Sequence, residues 1–161
     1  MPIVRLSFSP AAAHVRTARL VGVAVARRAG VGEELLEEIR LAIGEACSRA
    51  VALHRSGGLA DLVDVAMSDG ERFTVHVIDR ASTGSPMIGS STDPAAFLAE
   101  PGMPLTAAPD VLAEEAVAAR MGLALLAGLV DDLAVSSAAG GGGTEVRMSW
   151  PLDRRPVDDD I

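Results

Sequence analysis

Residues 33–54 constrain this chain more than any other stretch. Leu36, Ile39, Ile43, Ala46, Ala50 and Leu53 recur at intervals of three and four, the spacing that gathers apolar side chains on one face of a helix. A helix with such a face must bury it against a sheet or another helix. Glu33, Glu34, Glu37 and Glu38 crowd the first turns, where the helix dipole favours carboxylates. Ser56-Gly57-Gly58 ends the run. Inside it, in Leu41–Val51, Glu45 stands among small and apolar residues, and Arg49 follows four positions later.

The flanking segments supply what this helix packs on. Ile3–Phe8 alternates apolar and polar side chains and is expected to form a half-buried strand. Ser9 is expected to cap a following helix with Pro10 at its first position. That helix should run to about Arg28, with Arg16, Arg19, Arg27 and Arg28 in solvent, and break at Ala29-Gly30-Val31-Gly32. Asp61–Met67 and Arg72–Ile78 are expected to pair as a hairpin about Asp69-Gly70. From Arg80 to about Asp110 the chain is rich in Ser, Thr, Gly, Pro and Ala, as in long functional loops, with one helical turn expected at Asp93–Leu98. A third helix is expected from Val111 to Leu129. Leu133–Ser137 and Thr144–Trp150 should close a second hairpin about Gly140–Gly143.

The resulting order, β-α-α-β-β-loop-α-β-β, predicts a two-layer α/β sandwich, a mainly antiparallel mixed sheet with helices on one face. A single domain over 1–152 and a flexible acidic tail over 153–161 are expected. The core must be built from small aliphatic side chains, because 49% of the 161 residues are hydrophobic but only 2% are aromatic.

Charge narrows the function. A net charge of −8 argues against non-specific nucleic-acid binding and suits a partner with a basic patch. The single cysteine, Cys47, excludes an intrachain disulfide and points to the cytoplasm. Leu123–Val130 is far shorter than the roughly 20 residues of a membrane span, and no secretory leader is visible, so no membrane association is expected. His14, His54 and His76 lack ligand spacing, and no metal site is expected from them.

The order of elements and four motifs together resemble the histidine kinase-like ATPases and, within them, the bacterial anti-sigma factor serine/threonine protein kinases. The first family motif is Glu-Ala-x-x-Asn on a helix, its Glu a general base and its Asn a Mg²⁺ ligand. Here it reads Glu45-Ala46-Cys47-Ser48-Arg49. Glu45 matches, but Arg49 brings a permanent cation with no acceptor to the metal position. A guanidinium suits phosphate oxygens directly. Equally, Glu45 and Arg49 suit an ordinary i,i+4 pair, which would occupy the would-be base.

The second motif, Asp-x-Gly-x-Gly after a strand, is matched at Asp79, which the resemblance places at the adenine amino group. Ala81 and Thr83 fill its two glycine positions. Asp79 also reads as a turn residue at a strand end. The third motif keeps Gly122 in Arg120-Met121-Gly122-Leu123 but has Arg120 for its first glycine. It implies either a phosphate-side helix start or one unbroken helix from Val111. The fourth, Gly143-Thr144-Glu145-Val146, resembles the family's last strand, whose Thr reaches phosphate, and also reads as plain hairpin chemistry.

The resemblance therefore implies a histidine kinase-like (Bergerat) fold and a nucleotide site at Glu45, Arg49, Asp79, Gly122 and Thr144. Each departure weakens ATP and Mg²⁺ binding while the apolar framework stays intact. An anti-sigma-type regulator acting by protein contact is expected, with a sigma factor and a STAS-domain anti-anti-sigma protein as partners and a homodimer as its state. The alternative is an active ATP-dependent serine kinase phosphorylating the STAS protein, with Glu45 catalytic.

Overall fold

A computed structural model describes residues 3–81 and 121–153. Five strands, β1 (Ile3–Phe8), β2 (Val63–Asp69), β3 (Arg72–Ile78), β4 (Asp132–Ser137) and β5 (Thr144–Pro151), form one sheet in the order β1-β2-β3-β5-β4. All four described ladders are antiparallel. Helices α1 (Ala12–Ala29) and α2 (Leu36–Ser56) lie against one face, and residues 121–129, here α3, are helical too. The expected two-layer architecture is the observed one.

The alternation in the strands decides which face is covered. Val63, Val65 and Met67 of β2, Phe73, Val75 and Val77 of β3, and Val146, Met148 and Trp150 of β5 are buried beneath the helices. Ile39, Ile43, Ala46 and Ala50 of α2 meet them. A shift of register by one residue would turn every one of these side chains outward. The single tryptophan joins the layers: Trp150 Nε1 donates to Glu38 Oε1 at 2.7 Å, and its ring lies 6.1 Å from that of Phe73.

The opposite face is polar and half-exposed. His76 pairs with Glu145, and Arg147 donates to Asp132 at 3.1 Å beside a Ser149–Asp132 hydrogen bond. The hydrogen bond from Ser149 and the nearby guanidinium groups hold the Asp132 carboxyl below its ordinary pKa. Cys47 lies in the core, where burial pushes its thiol up to about 12.

Two expected helix starts differ from the observed ones. α1 begins at Ala12 with Ala11 as N-cap and no side-chain cap. The Ser9 hydroxyl contacts His14 Nδ1 instead, at 3.2 Å, so Ser9 ties the turn together without capping it. The acidic run opens with a 3₁₀ turn, Glu33–Leu35, before α2 begins at Leu36. At the other end of α1, Gly30 adopts φ +91°, which closes the helix at the expected break. The long segment after Arg80 (apart from Ala81), its helical turn at Asp93–Leu98, the start of the third helix at Val111, Arg120 and the tail from residue 154 lie outside the described residues.

Candidate functional site

α2 and the ends of β3 and β5 bring the five sequence-nominated residues into one cluster. Glu45 and Arg49 project from successive turns of α2. Asp79 follows β3, Thr144 begins β5, and Gly122 lies in α3.

The Arg49 side chain crosses from α2 to Asp79, with Nη1 3.0 Å from Oδ2. The two side chains are 7% and 1% exposed, so this is a buried ion pair. It corrects the local Glu45–Arg49 pair that the i,i+4 spacing allows. The cause is energetic: a guanidinium that must be buried gains more from a buried carboxylate than from one at the helix surface, where water already screens the pair. Burial lowers the Arg49 pKa from its ordinary value, and Asp79 beside it opposes that shift. Arg49 Nε is buried with no partner among the described residues.

Asp79 has a full set of donors on both oxygens. Its Oδ1 accepts from the backbone N–H of Ala81 at 3.0 Å and of Thr144 at 3.3 Å, while its own N–H donates to the Thr144 carbonyl at 3.0 Å. Gly143 makes this possible. With φ +96°, it lets the turn run so close that a Cβ there would stand 1.9 Å from the Asp79 carbonyl oxygen. Asp79 is thus both a strand-end turn residue and the anchor of Arg49, and its bond to Thr144 is through that residue's backbone.

Glu45 is half-buried and lies beside α3. A Cβ at Gly122 would approach its Oε1 to 2.9 Å and the Cβ of Arg49 to 3.7 Å. Gly122 therefore lets α3 approach α2 at the candidate base. Residue 121 is already helical, so Gly122 sits within helical backbone.

His54 belongs to this region although sequence reading set it aside. It is fully buried; its Nε2 accepts from the Arg80 N–H at 2.8 Å, and its Nδ1 lies 3.0 Å from the Asp61 carbonyl. A ring carrying its proton on Nδ1 satisfies both contacts. It fastens the end of α2 to the backbone immediately after Asp79. The only signal in the sequence was its place near the end of the apolar face, one position after Leu53.

With this geometry the family can be stated. The fold is that of the histidine kinase-like ATPases, and the model of the histidine kinase-like ATPase domain matches residues 8–150. The chain belongs to that family. Comparison with curated proteins gives no match.

Members of this family bind ATP generally, and the residues present can be tested for that fit. Mg²⁺ requires oxygen ligands in near-octahedral geometry. Arg49 offers none, and its guanidinium carries a permanent positive charge. A purine amino group at Asp79 would have to share or displace the Arg49 contact on Oδ2. At the position of Arg49, then, the described residues supply no oxygen ligand for a metal. Among the described residues no group of three or more His, Cys, Asp or Glu side chains is placed to hold a metal ion, and no helix is long and apolar enough to cross a membrane.

Proposed function

We propose that this chain is an anti-sigma-type regulator that works by protein contact in the cytoplasm, in a partner switch between a sigma factor and a STAS-domain anti-anti-sigma protein, with weak or lost ATP and Mg²⁺ binding. The buried Arg49–Asp79 pair carries this reading. It links the position of the family's metal ligand to the position of its adenine contact, so the chain's own side chain lies where a nucleotide would bridge them. A scaffold retained under those conditions is useful for the surface it presents. A homodimer fits the reading too: β1 is a sheet edge with Ile3 55% exposed, and edge strands invite pairing.

Calorimetric titration with ATP, with and without Mg²⁺, tests the nucleotide half. The natural protein should show no Mg²⁺-dependent binding in the micromolar range, and Arg49→Asn should gain it. Micromolar Mg²⁺-dependent binding by the natural protein overturns the reading. Retention of a sigma factor and a STAS-domain protein on the immobilised chain, each displacing the other, tests the partner half.

One observation favours the kinase alternative. Because Arg49 turns to Asp79, Glu45 is not paired with it and remains half-exposed, as a general base has to be. Phosphate incorporation into a STAS partner that disappears with Glu45→Ala would establish that activity in place of binding alone.

A further inference from the structure

We propose that the cleft between α1 and α2 binds a small organic oxyanion, a phosphate monoester or a carboxylate, with Arg19 as its anchor. The cleft is open to solvent and has a volume of about 340 Å³, at the lower end of the range of small-molecule sites. Arg16, Arg19, Arg55 and Ser48 are among the residues that line it. Buried Val15 and Val51 line it from the core side.

Three arginines gather at this cleft. The molecule is acidic overall, at −8, and the other arginines contacting acids have identifiable partners: Arg27 with Glu33, Arg40 with Glu37, Arg49 with Asp79, Arg80 with Asp64, and Arg72 and Arg147 with Asp132. Among the described residues, none of the three cleft arginines has a carboxylate within ion-pair distance and no acidic residue lines the cleft. An anion seated among three arginines would offset their like charge, and forked donors match its oxygens.

The anchor is built into the helix. A Cβ at Gly44 would stand 2.2 Å from Arg19 Nε and 2.9 Å from its Cζ. Arg19 therefore packs across α2 over Gly44, in space that a side chain at residue 44 would take, although a helix interior disfavours glycine. The cleft is separate from the Asp79 cluster: Ser48 faces it, while the adjacent Arg49 turns toward Asp79.

Titrating the full chain with phenyl phosphate, benzoate and inorganic phosphate, at constant ionic strength in chloride, tests the site. Saturable one-to-one binding is expected, tighter for phenyl phosphate or benzoate than for inorganic phosphate because the aryl group reaches the valines. Whichever aryl ligand binds tighter identifies the headgroup. Arg19→Gln should weaken binding at least tenfold and Arg28→Gln, on an exposed arginine outside the cleft, should leave it unchanged. Gly44→Ala keeps all three arginines but pushes Arg19 from its place, so it should weaken binding severalfold without lowering the melting temperature. Absence of saturation, equal losses in Arg19→Gln and Arg28→Gln, or full binding by Arg19→Gln overturns the proposal. Because these readouts depend on Arg19 and not on Mg²⁺ or Arg49, they stand apart from the ATP titration.

Discussion

At the scale of single residues, Asp79 is the least replaceable polar group described. It receives a guanidinium and two backbone N–H groups in a site from which water is excluded. Asp79→Ala would leave Arg49 as a buried charge without its counter-ion, which costs about 3–5 kcal/mol. Arg49→Met should cost less, about 1–3 kcal/mol, because the carboxylate keeps its two backbone donors. Urea denaturation of both variants checks this order. If Arg49→Met proved the more damaging, the carboxylate and not the guanidinium would be the group dependent on the pair.

At the scale of elements, the turn into β5 has a specific steric requirement. Gly143 and Gly141 both adopt positive φ, +96° and +84°. Only Gly143 has the Asp79 carbonyl where a Cβ would go, whereas the space around Gly141 is open. Gly141→Ala should cost about 1 kcal/mol for its backbone conformation alone. Gly143→Ala adds a backbone clash to that and should cost more than about 3 kcal/mol, or displace Asp79. Thermal unfolding of the two variants distinguishes the cases.

These elements also show what sequence can and cannot reveal. The strands at Ile3–Phe8 and Arg72–Ile78 were legible to the residue, because alternation is a local consequence of one buried face. The long apolar run of α2 was equally plain. The start of α1 was not, since the Ser9 hydroxyl had two local acceptor–donor arrangements to choose from and took the His14 ring. The i,i+4 spacing offers Arg49 its sequence neighbour Glu45 as a partner. Its actual partner is 30 residues away, and only the stacking of α2 on β3 brings them together. His54 had no readable role for the same reason, as both of its contacts come from other segments. The five candidate residues could be chosen from motifs; how they contact one another could not.

At the scale of the whole molecule, the helices cover one side of the sheet and a charged network occupies the other. Asp132 anchors that network, accepting from Ser149 and Arg147 with Arg72 beside it. Its folded pKa lies below the unfolded value of about 3.9. The stabilisation is therefore complete above that value and is lost as pH falls through the lower, folded one. Asp132→Asn should reduce stability at pH 7 and flatten its decline below pH 4, as read by urea midpoints across the acid range. An unchanged decline would assign acid sensitivity to other carboxylates.

The Trp150–Glu38 contact gives the molecule an intrinsic optical probe. With no tyrosine and one tryptophan in the chain, emission from the folded protein comes from a single indole bonded to α2 across the layer boundary. Any event that lifts α2 from β5 must change the colour and quenching of that one emitter. The protein can thus signal, without a label, whether a bound partner or anion is felt at the seam between its helices and its sheet.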